Sequence, residues 1–129
     1  MSALICFRAA DSISTGDVVR VTSGGLLTKA SAISPNSSVC AGIALNTGSI
    51  NDLILVNKDS LYYASSGTYT PGNRAYLSLI SGQVYEGYNA FSVALAASTL
   101  SGAYLVDLGP FVSVSGLNLE INSPVFVNR

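Results

Sequence analysis

Short segments of this chain alternate apolar and polar residues with a period of two, which is the pattern of half-buried β-strands. Residues 17–22 alternate in this way, and Gly24-Gly25 then permits the chain to reverse. Residues 75–80 repeat the alternation before Ser81-Gly82, which leads into another short strand. The pattern therefore predicts two β-hairpins.

The remaining segments also favour strands over helices. Residues 53–56 are apolar at every position, which predicts a strand buried on both faces. Most segments are short and end at Gly, Pro, Asn or Ser, as in all-β proteins. We therefore expect a small β-barrel or a compact sandwich. Residues 90–100 are rich in alanine and are the main helix candidate.

Two similar halves are indicated by an offset of fifty residues. Residues 42–45 (GIAL) resemble residues 92–95 (SVAL), and each is followed by an apolar pair at the same distance. If this is a duplication, residues 93–96 and 103–106 are strands, and the halves close against each other because neither can build a core alone. Upstream, Thr15-Gly16-Asp17 matches Pro71-Gly72-Asn73. Chance similarity between apolar segments is the alternative.

The two ends lie outside this repeat and are predicted to be arms. We divide the chain into an N-terminal arm (1–12), a duplicated β-barrel domain (13–108) and a C-terminal arm (109–129). Apolar residues in the arms are candidate contact residues, which dock either on this chain's own core or on a neighbouring copy by strand addition. They are Leu4, Ile5, Phe7, Phe111, Leu117, Leu119, Ile121, Val125 and Phe126.

Charge is scarce. Asp, Glu, Lys and Arg make up 10% of the chain, the net charge is -1 and the mean hydropathy is +0.47, whereas an ordinary soluble domain is about a quarter charged. Ser, Thr, Asn and Gly supply most of the polarity, and they do not repel a second copy. The composition therefore predicts a surface that stays in contact with other protein.

The chain lacks the residues and motifs that usually indicate catalysis or metal binding. It has no His, and Cys6 and Cys40 are too far apart for a zinc motif, so we expect no metal, no cofactor and two buried thiols. No nucleophile or phosphate-binding motif is present, so we expect no enzyme, although two carboxylates distant in sequence could still face each other. Scattered Lys and Arg argue against nucleic acid. The uncharged residues 87–106 contain too many polar positions for a membrane span.

Tyrosines suggest a different function. Tyr62, Tyr63 and Tyr69 lie close together in sequence, and Tyr85 and Tyr88 follow. An exposed platform of such rings would suit a fibre or adhesin module that binds a surface glycan. The alternative is that the rings pack at a strand or subunit boundary with the hydroxyl in water.

Five motifs follow one another along the chain, namely T-G-D-V-V-x-V, G-G-x-L-x-K-A, V-x-A-G-I-A-L, P-G-N-x-A-Y-L-S and S-G-Q-V-Y-E-G. In this order they resemble the small β-barrel capsid decoration proteins of tailed bacteriophages, also called cement or head-stabilisation proteins. The similarity covers roughly residues 13 to 108. The resemblance implies a structural protein without cofactor that binds the outer capsid surface, commonly as a trimer, with arms on the major capsid protein. It also implies assembly in the cytoplasm of the host bacterium and a final place in the virion.

Overall fold

Two antiparallel sheets and one short helix make up the fold in the computed structural model, which describes residues 4–57, 70–114 and 118–121. The predicted all-β class is confirmed, and the described residues form a sandwich-like pair of sheets without a closed barrel. The elements are β1 (Leu4–Arg8), β2 (Val18–Val21), β3 (Leu27–Lys29), β4 (Gly42–Ala44), β5 (Leu53–Asn57), β6 (Arg74–Leu77), β7 (Val84–Glu86), α1 (Tyr88–Ala96), β8 (Asp107–Val114) and β9 (Asn118–Ile121).

The first sheet has the strand order β1-β5-β4-β2-β3 and is buried on both faces at β2 and β4. Because successive side chains point to opposite faces, Val18 and Ile43 enter one hydrophobic core while Val19 and Ala44 enter another. The first core joins both sheets and α1. The second core is built from the first sheet and the segment that leads into it.

The second sheet has the order β7-β6-β8-β9, and α1 packs against β6 and β7. Phe91 is the buried residue of α1, and its ring meets Tyr85 edge-on with centroids 6.2 Å apart. Both predicted hairpins are confirmed, since β2 pairs with β3 and β6 pairs with β7. Among the described residues, no helix has the length and apolar character needed to cross a bilayer.

The two sheets repeat one arrangement, in which a hairpin is followed by a strand beside its first strand and then by a further strand beside that one. The upstream match between Gly16 and Gly72 is confirmed by their left-handed φ angles of 91° and 94°. Equivalent backbone hydrogen bonds join the turn to the third strand in each half. They are Gly16 N–H to Ala44 O and Gly72 N–H to Phe111 O, each 2.8 Å, and Ala44 N–H to Asp17 O and Phe111 N–H to Asn73 O, each 2.9 Å.

The offset of fifty residues is wrong for the downstream strands. Residues 93–96 lie in α1, and residues 103–106 precede β8 without forming a strand. The counterpart of β4 is β8, because Ile43 pairs with Val18 as Pro110 pairs with Arg74. Gly87, at a φ of 85°, ends the extended chain of β7, and the alanine-rich segment after it has good helix propensity. The second half therefore contains a helix that has no counterpart among the described residues of the first half.

Two other expectations need correction. Residues 53–56 do form a strand, but only Ile54 and Val56 are buried, so burial on both faces is wrong. Cys40 is buried as expected, whereas Cys6 is exposed. The division into a domain of residues 13–108 and two arms stays a prediction.

Candidate interaction surface

The N-terminal candidate residues lie on β1, which pairs antiparallel with β5. Alternation along β1 directs Ile5 and Phe7 towards the second core, where both are half-buried. Cys6 and Arg8 occupy the opposite, exposed face. Leu4 belongs to β1, but its side chain lies outside the described part. Ile5 and Phe7 therefore attach β1 to its own chain.

The C-terminal candidates lie on or after β8. Phe111 is fully buried in the first core and so packs within this chain. Leu119 and Ile121 belong to β9, where they pair with Ser113 and Phe111, and their side chains lie outside the described part. Leu117, Val125 and Phe126 also lie outside the described residues.

An exposed apolar face on β5 was missed by the sequence reasoning. Leu53 and Leu55 point away from the second core and are 54% and 38% exposed. The exposed Cys6 lies opposite Leu55 on β1. We call these three residues the Leu53–Leu55 face. The signal was present in the sequence, because inward-facing Ile54 and Val56 require their neighbours to face outward.

Polar contacts hold this face in place. The Asn46 side chain donates to Leu53 O (3.1 Å) and accepts from Leu55 N–H (2.7 Å), which extends the pairing of β4 with β5. On the other side, Arg8 lies opposite Leu53 and donates through Nη1 to Asn51 O at 2.8 Å. The leucines thus stand on a strand fixed at both edges, with an arginine at the rim.

Of the carboxylates that the sequence left open as a catalytic pair, Asp17 and Asp52 accept hydrogen bonds in turns, and Asp107 lies in an ion pair. Asp17 accepts from Ser14 N–H at 2.8 Å. Burial raises the pKa of Asp17, while the Ser14 hydrogen bond and the Lys29 charge oppose this rise. Asp107 accepts from Arg74 Nε at 2.7 Å, and this contact raises the pKa of Arg74. Among the described residues, no three Asp, Glu, Cys or His side chains are grouped as metal ligands.

The two candidate tyrosines in the described part of the chain lie on different elements, Tyr85 on β7 and Tyr88 on α1. Tyr85 is half-buried against Phe91, whereas Tyr88 is 56% exposed at the start of α1. Tyr62, Tyr63 and Tyr69 lie outside the described residues. Tyr76, which the sequence did not single out, meets Tyr88 edge-on with ring centroids 6.1 Å apart.

No protein-family model, curated protein or solved structure matches this chain. What its surface can bind is therefore inferred from its own residues. Those residues present an exposed apolar strand face on the first sheet and an exposed tyrosine beside an ion pair on the second sheet.

Proposed function

We propose that this protein is a structural component of a phage virion that binds the outer capsid surface and clamps neighbouring major capsid protein subunits. It acts as a homo-oligomer, in the form of a trimer. The sequence resemblance to capsid decoration proteins supports this proposal, and so does the scarcity of charge.

The observation that carries the proposal is the Leu53–Leu55 face. Single exposed leucines are common on soluble proteins, but here two share one strand face beside a further exposed thiol. Arg8 lies at the edge of the face, and an apolar centre with a polar rim is the usual anatomy of a protein interface. We assign this face to the coat protein.

Oligomerisation explains how a small apolar face suffices for tight binding to the capsid. Burial of one leucine side chain contributes about 1.5–3 kcal/mol, so a single copy would bind weakly. Three linked copies engage several coat subunits at once, and their combined affinity exceeds that of one site by orders of magnitude. The result is a clamp that resists separation of the subunits.

The test is sedimentation of purified protein with undecorated capsids. We expect saturable binding with a fixed number of copies per capsid. Replacement of both leucines in the double variant Leu53→Ser/Leu55→Ser should weaken binding by at least about 100-fold, because roughly 3 kcal/mol of burial is lost at each copy. Ile80→Ser is the matched control, since Ile80 is 57% exposed but lies in the β6–β7 turn.

Two results would contradict the proposal. One is wild-type protein that stays in the supernatant at every concentration. The other is equal weakening by Ile80→Ser and by the leucine double variant, which would mean that the Leu53–Leu55 face has no special role.

A further inference from the structure

Tyr88 is an exposed aromatic ring whose position is fixed. It is 56% exposed, and its ring meets that of Tyr76 at an interplanar angle of 74°. Tyr76 is itself almost fully buried in β6. A ring that is already held loses little conformational freedom when a ligand packs on it, so it is a favourable contact for binding.

An ion pair lies beside this ring. Arg74 precedes Tyr76 by two positions on β6, and although the register with β8 shifts between Ala75 and Tyr76, both residues lie next to Asp107. Gly87 N–H donates to Arg74 O at 2.7 Å, which ties the start of α1 to this strand. Asp107 lies opposite Tyr76 in the register and accepts from Arg74 Nε at 2.7 Å. Tyr88, Arg74 and Asp107 thus occupy one exposed patch on the second sheet.

The patch offers both hydrogen-bond donors and acceptors to solvent. Within the described residues, the Nη groups of Arg74 make no hydrogen bond. Asp107 Oδ1 accepts from Gly109 N–H at 2.8 Å, and each carboxylate oxygen has a further lone pair. The hydrogen bond from Gly109 N–H holds the Asp107 carboxylate in place, and the carboxylate in turn holds the Arg74 guanidinium.

We infer that Tyr88, Arg74 and Asp107 form a binding site for a neutral saccharide. A sugar ring has an apolar C–H face, which packs on a tyrosine ring, and a rim of hydroxyls that both donate and accept. The charge of Arg74 is compensated by Asp107, so the patch is neutral and does not select an anion. An uncompensated arginine would instead favour a carboxylate or phosphate. The site lies on the second sheet, apart from the Leu53–Leu55 face, and does not depend on capsid binding.

The experiment is isothermal titration of the full chain with maltohexaose, cellohexaose and chitohexaose as neutral probes, and hexagalacturonate as an acidic probe. We expect at least one neutral probe to bind wild-type protein. Tyr88→Ala should weaken that binding at least about tenfold, which corresponds to 1.4 kcal/mol of lost contact. Tyr104→Ala should leave it unchanged, because Tyr104 is 46% exposed but lies in the segment between α1 and β8.

A second variant separates the ligand site from a general effect on folding. Asp107→Asn keeps an acceptor for Gly109 N–H but leaves the Arg74 charge uncompensated. We expect this variant to gain affinity for hexagalacturonate relative to the neutral probe. The inference is overturned if no neutral probe binds at millimolar concentration, if only the acidic probe binds wild-type protein, or if Tyr104→Ala weakens binding as much as Tyr88→Ala.

Discussion

At Gly42, β4 and β5 approach so closely that no side chain fits between them. A Cβ atom at this position would lie 2.5 Å from Asn57 O and 2.7 Å from Val56 Cγ1. Because the first obstacle is backbone, the strands themselves would have to separate. We expect Gly42→Ala to lower the free energy of unfolding by about 3 kcal/mol, measured by urea denaturation.

Gly24→Ala is the control for this prediction. A Cβ at Gly24 meets only Thr22 Oγ1, at 3.8 Å, so the change should cost less than about 1 kcal/mol. Equal losses in the two variants would show that the approach of β4 to β5 does not limit side-chain size.

The titration of Asp17 makes the free energy of unfolding depend on pH. Burial raises its folded pKa above the unfolded value of 3.8, so the folded carboxyl binds its proton more tightly. The contribution of this group to the free energy of unfolding therefore falls as pH rises from about 3.8 through the raised folded value. In Asp17→Asn this fall should be absent, so the variant should gain stability relative to wild type across that window.

Urea denaturation between about pH 3 and pH 7 measures this difference, with Asp52→Asn as the control for loss of a turn carboxylate. Asp52 accepts from Ser49 N–H at 2.9 Å, as Asp17 accepts from Ser14. A constant difference between wild type and Asp17→Asn at every pH would contradict the assignment.

Among the elements, β5 depends on a side chain to complete its pairing. Asn46 supplies the acceptor for Leu55 N–H and a donor for Leu53 O. In Asn46→Ala we expect the Leu55 amide to exchange with solvent about tenfold faster and the free energy of unfolding to fall by about 1 kcal/mol. Asn46→Asp keeps the acceptor, so hydrogen exchange at Leu55 should stay slow. Fast exchange in both variants would mean that the Asn46 acceptor does not protect Leu55.

The hairpins could be predicted from sequence because their turns are encoded locally. Gly25 and Gly82 adopt φ angles of 82° and 83°, which a glycine accepts without strain, and the alternation on either side fixes the register. The pairing of β4 with β5 could not be predicted in detail, since it depends on contacts between residues distant in sequence. The same holds for β8 as the counterpart of β4.

Helix α1 shows why the fifty-residue repeat wrongly predicted a strand at residues 93–96. Its residues carry no charge in the first or last turn and no side-chain cap, so the usual signals of a helix are missing. In the similar apolar string at residues 42–45, Gly42–Ala44 form β4, which is paired with β2 on one side and β5 on the other. Tertiary contact therefore decided between helix and strand.

The candidate surface was predictable only in part. Apolar residues near the N-terminus were expected to dock either on this chain's own core or on a neighbouring copy, and the alternation along β1 turns Ile5 and Phe7 inward and leaves Cys6 exposed. The outward leucines of β5 followed from the same rule of alternation. The Tyr88 patch could not be predicted, because Arg74, Tyr88 and Asp107 are brought together only by the pairing of β6 with β8 and the position of α1.

For the whole molecule, scarcity of charge implies binding that is insensitive to salt. The Leu53–Leu55 face is apolar, and the chain has a net charge of -1. Affinity for undecorated capsids should change by less than about twofold between roughly 0.05 M and 0.5 M NaCl, as sedimentation would show. A steep loss of affinity with added salt would indicate a charged interface instead.

The most direct measurement is cryo-electron microscopy of capsids saturated with the protein. We expect density at symmetry-related positions on the outer surface, with β5 and its two leucines against the coat protein and the Tyr88 patch facing solvent. Capsids without added density, or density in which the Leu53–Leu55 face points away from the coat, would contradict the account.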